Sequence, residues 1–393
     1  MTHRDQPTPV SDALEVLTAE GFEGMAEAIR LLMNEAMKIE RSAFLRAEPY
    51  ERTDARRGSS NGFKNKTVKT RVGAIGLQVP QVRDVVDGEP FYPQSLERGQ
   101  RSERALRLAV AEMYVQGVST RRVTEITKEL CGLDVSSMDV SRAARLLDDE
   151  LEKWRTRPLG CFPYVIMDAR YESVRHGGSV RSCALLTAIG IDEKGKRAVL
   201  GTSVSLSEAE VHWREFQASL QDRGLHGVRM ITSDAHSGIK SALNARFAGV
   251  LWNRCQFHLQ QNAQKYVPKV ALRRQVAEDL RAVFNAVDRP EAERKLKGFV
   301  ETWSERAPNL ATWAEENVPE GLTVFDLGLT EGQRKRLRTS NSMENINGQI
   351  RRRTSVARLF PNEASLLRLA SAVLMEISEE WETGRRYLQG DDA

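Results

Sequence analysis

In the stretch NRCQFHL a thiol and an imidazole, Cys255 and His258, form a C-x-x-H element. That spacing is half of a zinc site. The other half is missing. Cys131, Cys161 and Cys183 are scattered, no C-x-x-C pair exists, and none of the six histidines forms a second C-x-x-H or an H-x-x-H. No zinc is expected. Cys255 reads as a packing residue. His258 reads either as packing or as a group that supports a neighbouring site or touches a phosphate.

The acids carry a stronger possibility. Asp168 lies in YVIMDARYESVR and Asp234 ends GVRMITSD. If these stretches are adjacent strands, two carboxylates stand side by side and repel unless a cation lies between them. A paired Mg²⁺ site uses such an arrangement to activate an attacking oxygen and stabilise a leaving one. The bland reading is two turn-forming aspartates. A third acid is then expected. Glu172 shares a strand face with Asp168 but lies further along, and Asp192 and Glu193 fall in a turn. Glu344 lies in RTSNSMENINGQIRRR, where Met343, Ile346 and Ile350 form an apolar helix face. Glu344, Asn347 and Arg351 share a polar one. Asn341-x-x-Glu344 is also the spacing of a capping pair, so the residues alone leave both readings open.

The elements that must hold these groups are readable from about residue 160. YVIMDARYESVR, VRSCALLTAIGI and RAVLGTSVSL are strand-like and joined by HGGS and DEKGK turns, an antiparallel meander. SEAEVHWREFQASLQDRG opens with Ser207 and Glu210 at capping-box spacing and closes on Gly224. GVRMITSD, HSGIKSALNARF and GVLWNRC then read as strand, helix and strand. The order β-β-β-α-β-α-β is that of a ribonuclease H-like α/β core, with the strands of Asp168 and Asp234 as central neighbours. Residues 264–332 are purely helical, with Asp288 and Pro290 at a helix start.

The N-terminal part is mainly helical. Residues 11–47 carry continuous helical periodicity. DARRGSSNGFKNK reads as a basic mobile arm, followed by a short hairpin through Val68 and Ile75. Three apolar stripes over residues 102–150, with Ser136 and Asp139 at a helix start, suggest a helix-turn-helix. Ser137, Met138, Ser141, Arg142 and Arg145 would face a DNA groove. The alternative is three helices packed for structure alone. The resulting segments are 1–100, 101–157, 158–263, 264–332 and a C-terminal helical return to the core, 333–393.

The 393 residues exceed one ordinary core, and 40% hydrophobic with 28% charged residues is a globular balance. No apolar run reaches the length of a membrane span and the N-terminus lacks a signal-peptide h-region, so a cytoplasmic location is expected. Net charge is only +4, yet bases cluster. One group is Arg52, Arg56, Arg57, Lys64, Lys66, Lys69 and Arg71. Others are Arg334, Lys335, Arg336 and Arg338, then Arg351, Arg352, Arg353 and Arg358. Such clusters suggest polyanion contacts.

These residues together resemble the Mutator-like transposases of bacterial insertion sequences, which carry a DDE catalytic domain. The matching stretches are MDARYESVR, GLHGVRMITSDAHSGIKSAL, CQFHLQQN and RTSNSMENINGQIRRR. KTVKTRVGAIGLQVPQVRD and the stretch from Tyr114 to Arg142 resemble the family's N-terminal half. The resemblance implies that Asp168, Asp234 and Glu344 are the catalytic triad and metal ligands, holding two Mg²⁺ ions for which Mn²⁺ usually substitutes. It implies a helical insertion between Asp234 and Glu344, too far apart for a plain loop. Cys255, His258, Asn341 and Arg351 would border the site. Arg56, Arg57, Lys64, Lys66, Arg142, Arg145, Arg352 and Arg353 would meet DNA. The partners would be terminal inverted repeats and target DNA, bound by a homodimer or higher assembly. Glu172 departs from the pattern, standing where relatives often carry a base. The alternatives are an inactive DNA-binding regulator, another ribonuclease H-like nuclease, or a zinc protein built on Cys255 and His258.

Overall fold

A computed structural model describes residues 8–85, 90–357 and 359–388; Arg358 of the basic run lies outside them. The chain divides into two compact units, Met1–Leu146 and Leu147–Ala393, a coarser division than the five segments read from sequence.

The first unit begins with α1 (Pro9–Glu20) and α2 (Met25–Leu45), where unbroken periodicity suggested one helix. Glycines break it. Gly21 takes φ 60°, and a Cβ on Gly24 would come 2.8 Å from Val16, so only glycine closes the corner. Residues 59–66 of the expected mobile arm instead make up most of β1 (Ser59–Thr70), paired antiparallel with β2 (Gly73–Arg83). SSNGFKNK has no apolar alternation to announce a strand. It is held by backbone pairing to β2, whose Ile75, Leu77 and Val79 are buried with Met37 of α2. Then come α3 (Arg104–Val115), α4 (Thr120–Cys131) and α5 (Ser137–Ala144). The Ser119 side chain caps α4 and Gly132 at φ 66° ends it. Ser136 and Asp139 form the expected capping box of α5. That helix stops at Ala144, one turn before the apolar stripe does.

The second unit starts with α6 (Asp148–Thr156). It continues through β3 (Tyr164–His176), β4 (Ser179–Ile191), β5 (Arg197–Ser205), α7 (Glu210–Asp222), β6 (Met230–Ser233), α8 (Ser237–Arg246) and β7 (Leu251–Arg254). This is the order read from the sequence. The sheet runs β5-β4-β3-β6-β7, with β3, β4 and β5 antiparallel and β6 and β7 parallel to β3. One correction falls at α7. Its N-cap is Ala209, and Ser207 instead accepts a hydrogen bond from the Ala209 amide in the preceding turn.

Beyond the sheet lie α9 (Gln256–Ala263), α10 (Arg273–Phe284), α11 (Arg289–Trp303) and α12 (Pro308–Asn317). With Leu259 and Ala263 of α9, these helices bury a core of their own around Trp303 and Leu310. Asp288 caps α11, as its spacing before Pro290 suggests. The chain then returns through α13 (Glu331–Leu337), α14 (Asn341–Ala357) and α15 (Glu363–Thr383). The sheet is covered on both faces. Val165, Met167 and Leu186 pack with α7 and α8 residues such as Trp213 and Ile239. Ile166, Leu185 and Ile189 pack with Met343, Ile346 and Ile350 of α14 and with α15. Those three α14 side chains are fully buried, each stabilising the fold by about 1.5–3 kcal/mol. Among the described residues no helix is long and apolar enough to cross a membrane.

Candidate active site

Parallel pairing sets Tyr164 opposite Met230, Val165 opposite Ile231 and Ile166 opposite Thr232. Continuing that register by two places brings Asp168 opposite Asp234, where β6 has just ended. The carboxyl ends of parallel central strands are where an open α/β sheet collects its chemistry. The two acids interact. Asp168 is half-buried but closely surrounded, and its carboxyl is pushed up to about 7. Desolvation is the main cause. His258 opposes the rise and Asp234 adds to it.

Strand alternation turns Asp168, Arg170 and Glu172 toward the face covered by α14. Asn347 of α14 donates from Nδ2 to Asp168 Oδ2 at 3.0 Å. Glu344 precedes Asn347 by three residues, so it lies on the same helix face, half-buried. The structure thus brings the helix of Glu344 over Asp168. Among the described residues, however, no three acidic, histidine or cysteine side chains converge closely enough to hold a metal by themselves. Helix α14 begins at Asn341, with Ser340 O accepting from the Glu344 amide at 2.9 Å.

The C-x-x-H element lands beside the two acids. Cys255 follows β7 and is fully buried, its amide bonded to Ser233 O at 2.8 Å. The Ser340 amide donates to its sulfur at 3.3 Å, and the Ser340 hydroxyl lies 3.2 Å from it, joining the end of β7 to the start of α14. Cys255 is therefore a structural tie with no surface to offer DNA. Burial alone would raise its thiol, but His258 and the Ser340 hydrogen bond together bring it below its ordinary value. His258 is pushed up to about 9, chiefly by Cys255 against the cost of burial, with smaller pulls from Asp168 and Asp234. Its Nδ1 is enclosed without a hydrogen-bond partner of regular geometry.

The sequence reading missed Glu208, in the turn between β5 and α7. Its side chain is only 9% exposed and Oε2 lies 3.7 Å from His236 Nδ1. The His236 amide in turn donates to Asp234 Oδ1 at 3.2 Å. Burial raises the Glu208 carboxyl first, and Asp234 raises it further. No sequence signal marks Glu208, because SLSEAE reads as a helix start and says nothing of Asp234 across the sheet.

A family model described as "Transposase, Mutator family" matches residues 5–384. The chain belongs to this family. It is 53% identical over 390 residues to the transposase for insertion sequence element IS406 of Burkholderia multivorans, covering 99% of both chains. It is 39% identical to the transposase for ISRM5 of Rhizobium meliloti, covering 97% of this chain and 94% of the other. It is 34% identical to the transposase for IS256 in transposon Tn4001 of Staphylococcus aureus, covering 92% of each.

As a Mutator-family DNA transposase, the chain must offer bases to a nucleic acid, and the structure sorts those expected to do so. In the first unit Lys64, Arg142 and Arg145 are exposed, and so are Ser137, Met138 and Ser141 on the open face of α5. Arg56 is spent on Gly58 O and Glu51 O, Arg57 lies over Phe44, and Lys66 donates to Tyr92 and Glu97 O. In the second unit Arg351 and Arg352 are exposed, while Arg353 pairs with Glu376 at 3.1 Å. The run Arg334 to Arg338 is largely structural. Arg334 and Arg338 donate to Leu329 O, Val287 O and Phe284 O, Lys335 pairs with Glu331, and Arg336 donates to Tyr387 O. These arginines satisfy carbonyls at the end of α10 and in connecting segments, a use that their charge alone does not reveal.

Proposed function

We propose that this chain is a DDE-type transposase. It binds the terminal inverted repeats of an insertion sequence and catalyses metal-dependent strand cleavage and strand transfer. Its second unit is read as a ribonuclease H-like core with α10, α11 and α12 as the insertion. The observation that supports this best is Asp168 opposite Asp234 at the centre of the sheet, under the face of α14 that carries Asn347 and Glu344.

The residues fit a magnesium site. Mg²⁺ is usually held by one or two carboxylates, with waters and substrate phosphates completing its shell. Asp168 and Asp234 would hold it, with Glu344 as the third acid. A bound metal pair supplies Lewis acidity, activating the attacking oxygen and stabilising the leaving one. The chain does the positioning. Asn347 fixes one oxygen of Asp168, and the His236 amide fixes Oδ1 of Asp234. Protonated His258 offsets the two negative charges. Arg351 and Arg352, exposed on the same helix as Glu344, would suit a DNA backbone. The reaction is hydrolysis of one strand at an element end, freeing a 3′-hydroxyl, then in-line attack of that hydroxyl on a target phosphorus, which forms a new phosphodiester and releases the target strand's own 3′-hydroxyl. No covalent protein intermediate is needed. Two ends must be processed together, so the working form is a dimer or larger.

The test uses a labelled terminal-repeat duplex with Mg²⁺ or Mn²⁺. Asp168→Asn, Asp234→Asn and Glu344→Gln should each abolish nicking and joining while end binding in a gel shift survives. Wild-type nicking by Glu344→Gln would remove Glu344 from the site, and wild-type nicking by either aspartate variant would sink the reading.

A further inference from the structure

Arg170 and Glu172 continue the strand face of Asp168, and both are bonded. Arg170 Nε donates to Glu172 Oε1 at 2.6 Å, and Arg170 Nη1 donates to Asn347 O at 3.3 Å. Thr354 Oγ1 donates to the same Glu172 oxygen at 3.0 Å. Three polar side chains at alternate positions of β3 therefore meet α14 at Asn347 and again at Thr354. The Glu172 carboxylate is 13% exposed and the Arg170 side chain 22%.

The spacing of the two elements makes this a bracket. Residues 168 to 172 of an extended strand span about 13 Å. Residues 347 to 354 of a helix span about 10 Å and return to the same face after two turns. One bond to a helix leaves it free to roll or slide; two, separated by two turns, fix both its rotation and its register. Glu344 lies one turn before the first attachment point, on the continuation of that face. The apolar side of α14, with Met343, Ile346 and Ile350 buried, holds the helix onto the sheet, and the polar bonds add a directional constraint that apolar contact lacks.

We propose that Glu172, held by Arg170 and Thr354, is a positioning residue that sets the register of α14 and thereby the place of Glu344 beside Asp168. Glu172 is not a metal ligand in this assignment. Its carboxylate is spent on an arginine and a hydroxyl, and its negative charge is neutralised before it reaches the acid pair. The inference rests on the proposed function, because it concerns where the third acid stands.

Thr354→Val removes the hydroxyl at nearly constant shape, Thr354→Ser retains it, and Glu172→Ala removes the acceptor. The first and last should lower kcat for end nicking by about tenfold or more, since a misplacement of about 1 Å can cost ~100-fold. KM for the end duplex should not change, the Mg²⁺ needed for half-maximal nicking should rise, and Thr354→Ser should restore both. A second readout needs no turnover: amide hydrogen exchange across residues 341–351 of the metal-free protein should quicken in Thr354→Val and Glu172→Ala, and not in Thr354→Ser. Unchanged kcat and unchanged exchange in Thr354→Val would overturn the inference, as would a loss that Thr354→Ser shares. If the wild type shows no metal-dependent nicking, the proposed function fails; the exchange arm still decides whether the bracket holds α14.

Discussion

Asp168 and His258, beside the sheet centre, both titrate above their ordinary ranges. Asp168 is raised from 3.8 to about 7, so the folded protein keeps a proton that the unfolded chain releases. The stability from that proton is complete below about pH 4 and is lost as pH rises through about 7. His258 is raised from 6.5 to about 9, so its contribution is complete below the unfolded value and is lost as pH rises through about 9. Through these two groups the metal-free protein loses stability as pH rises, while Cys255, held below its ordinary value, acts in the opposite sense at the alkaline end. A shift of about three units corresponds to at most about 4 kcal/mol, and water access to Asp168 argues for about half of that. Asp168→Asn should therefore stabilise the metal-free protein at pH 8 by about 2 kcal/mol and flatten its stability profile between pH 5 and 7. Mg²⁺ should stabilise the wild type at pH 8 but not at pH 5, because protons and metal compete for one carboxylate. Urea unfolding with chelator and with Mg²⁺ measures both. Parallel pH profiles for the wild type and Asp168→Asn would mean that Asp168 does not carry the strain assigned to it.

Elements with an apolar rhythm were legible in the sequence; those held by backbone bonds or tight corners were not. Strands β3 to β7 announce themselves through their apolar runs, with Gly177, Asp192 and Asp234 directly after β3, β4 and β6, and their order brings Asp168 and Asp234 together. SSNGFKNK hid most of β1 because neither of its faces enters a core. Gly21 and Gly24 hid the break between α1 and α2, because the periodicity passes through them. Glu208 hid because its partners His236 and Asp234 come from another strand end. Helix α8 shows how such a corner works. A Cβ on Gly238 would stand 2.0 Å from Glu208 O, so only glycine lets the first turn of α8 dock on the Glu208 turn, two bonds away from Asp234 through His236. Gly238→Ala is expected to destabilise the protein by about 1–3 kcal/mol through overpacking against a backbone oxygen. It should also slow nicking more than it weakens end binding, because the displaced helix start follows closely on Asp234. A Gly238→Ala protein with wild-type melting and wild-type nicking would show that the turn yields freely.

At the scale of the molecule, a net charge of +4 hides a division of labour among the bases. Most arginines of the second unit's basic run are tied to carbonyls, whereas Arg351 and Arg352 of α14 are exposed. In the first unit the exposed bases Arg142 and Arg145 lie at the end of α5, whose capped first turn presents Ser137 and Met138 to solvent beside Ser141. Neutralising phosphates releases counterions, so each base that meets DNA steepens the fall of affinity with salt by about one unit of slope. If end recognition lies in the first unit and chemistry in the second, the two should separate cleanly by variant. Arg142→Ala with Arg145→Ala should weaken end binding about tenfold at moderate salt and reduce the slope of log affinity against log salt by about 2. The melting temperature should hold, since both side chains are exposed. Asp168→Asn should leave affinity and slope as they are while ending nicking. Titrating salt in a fluorescence-anisotropy assay of end binding reads both quantities. A double variant whose slope matches the wild type would move the recognition surface away from α5, and a slope change in Asp168→Asn would place the acids themselves in the binding of ends.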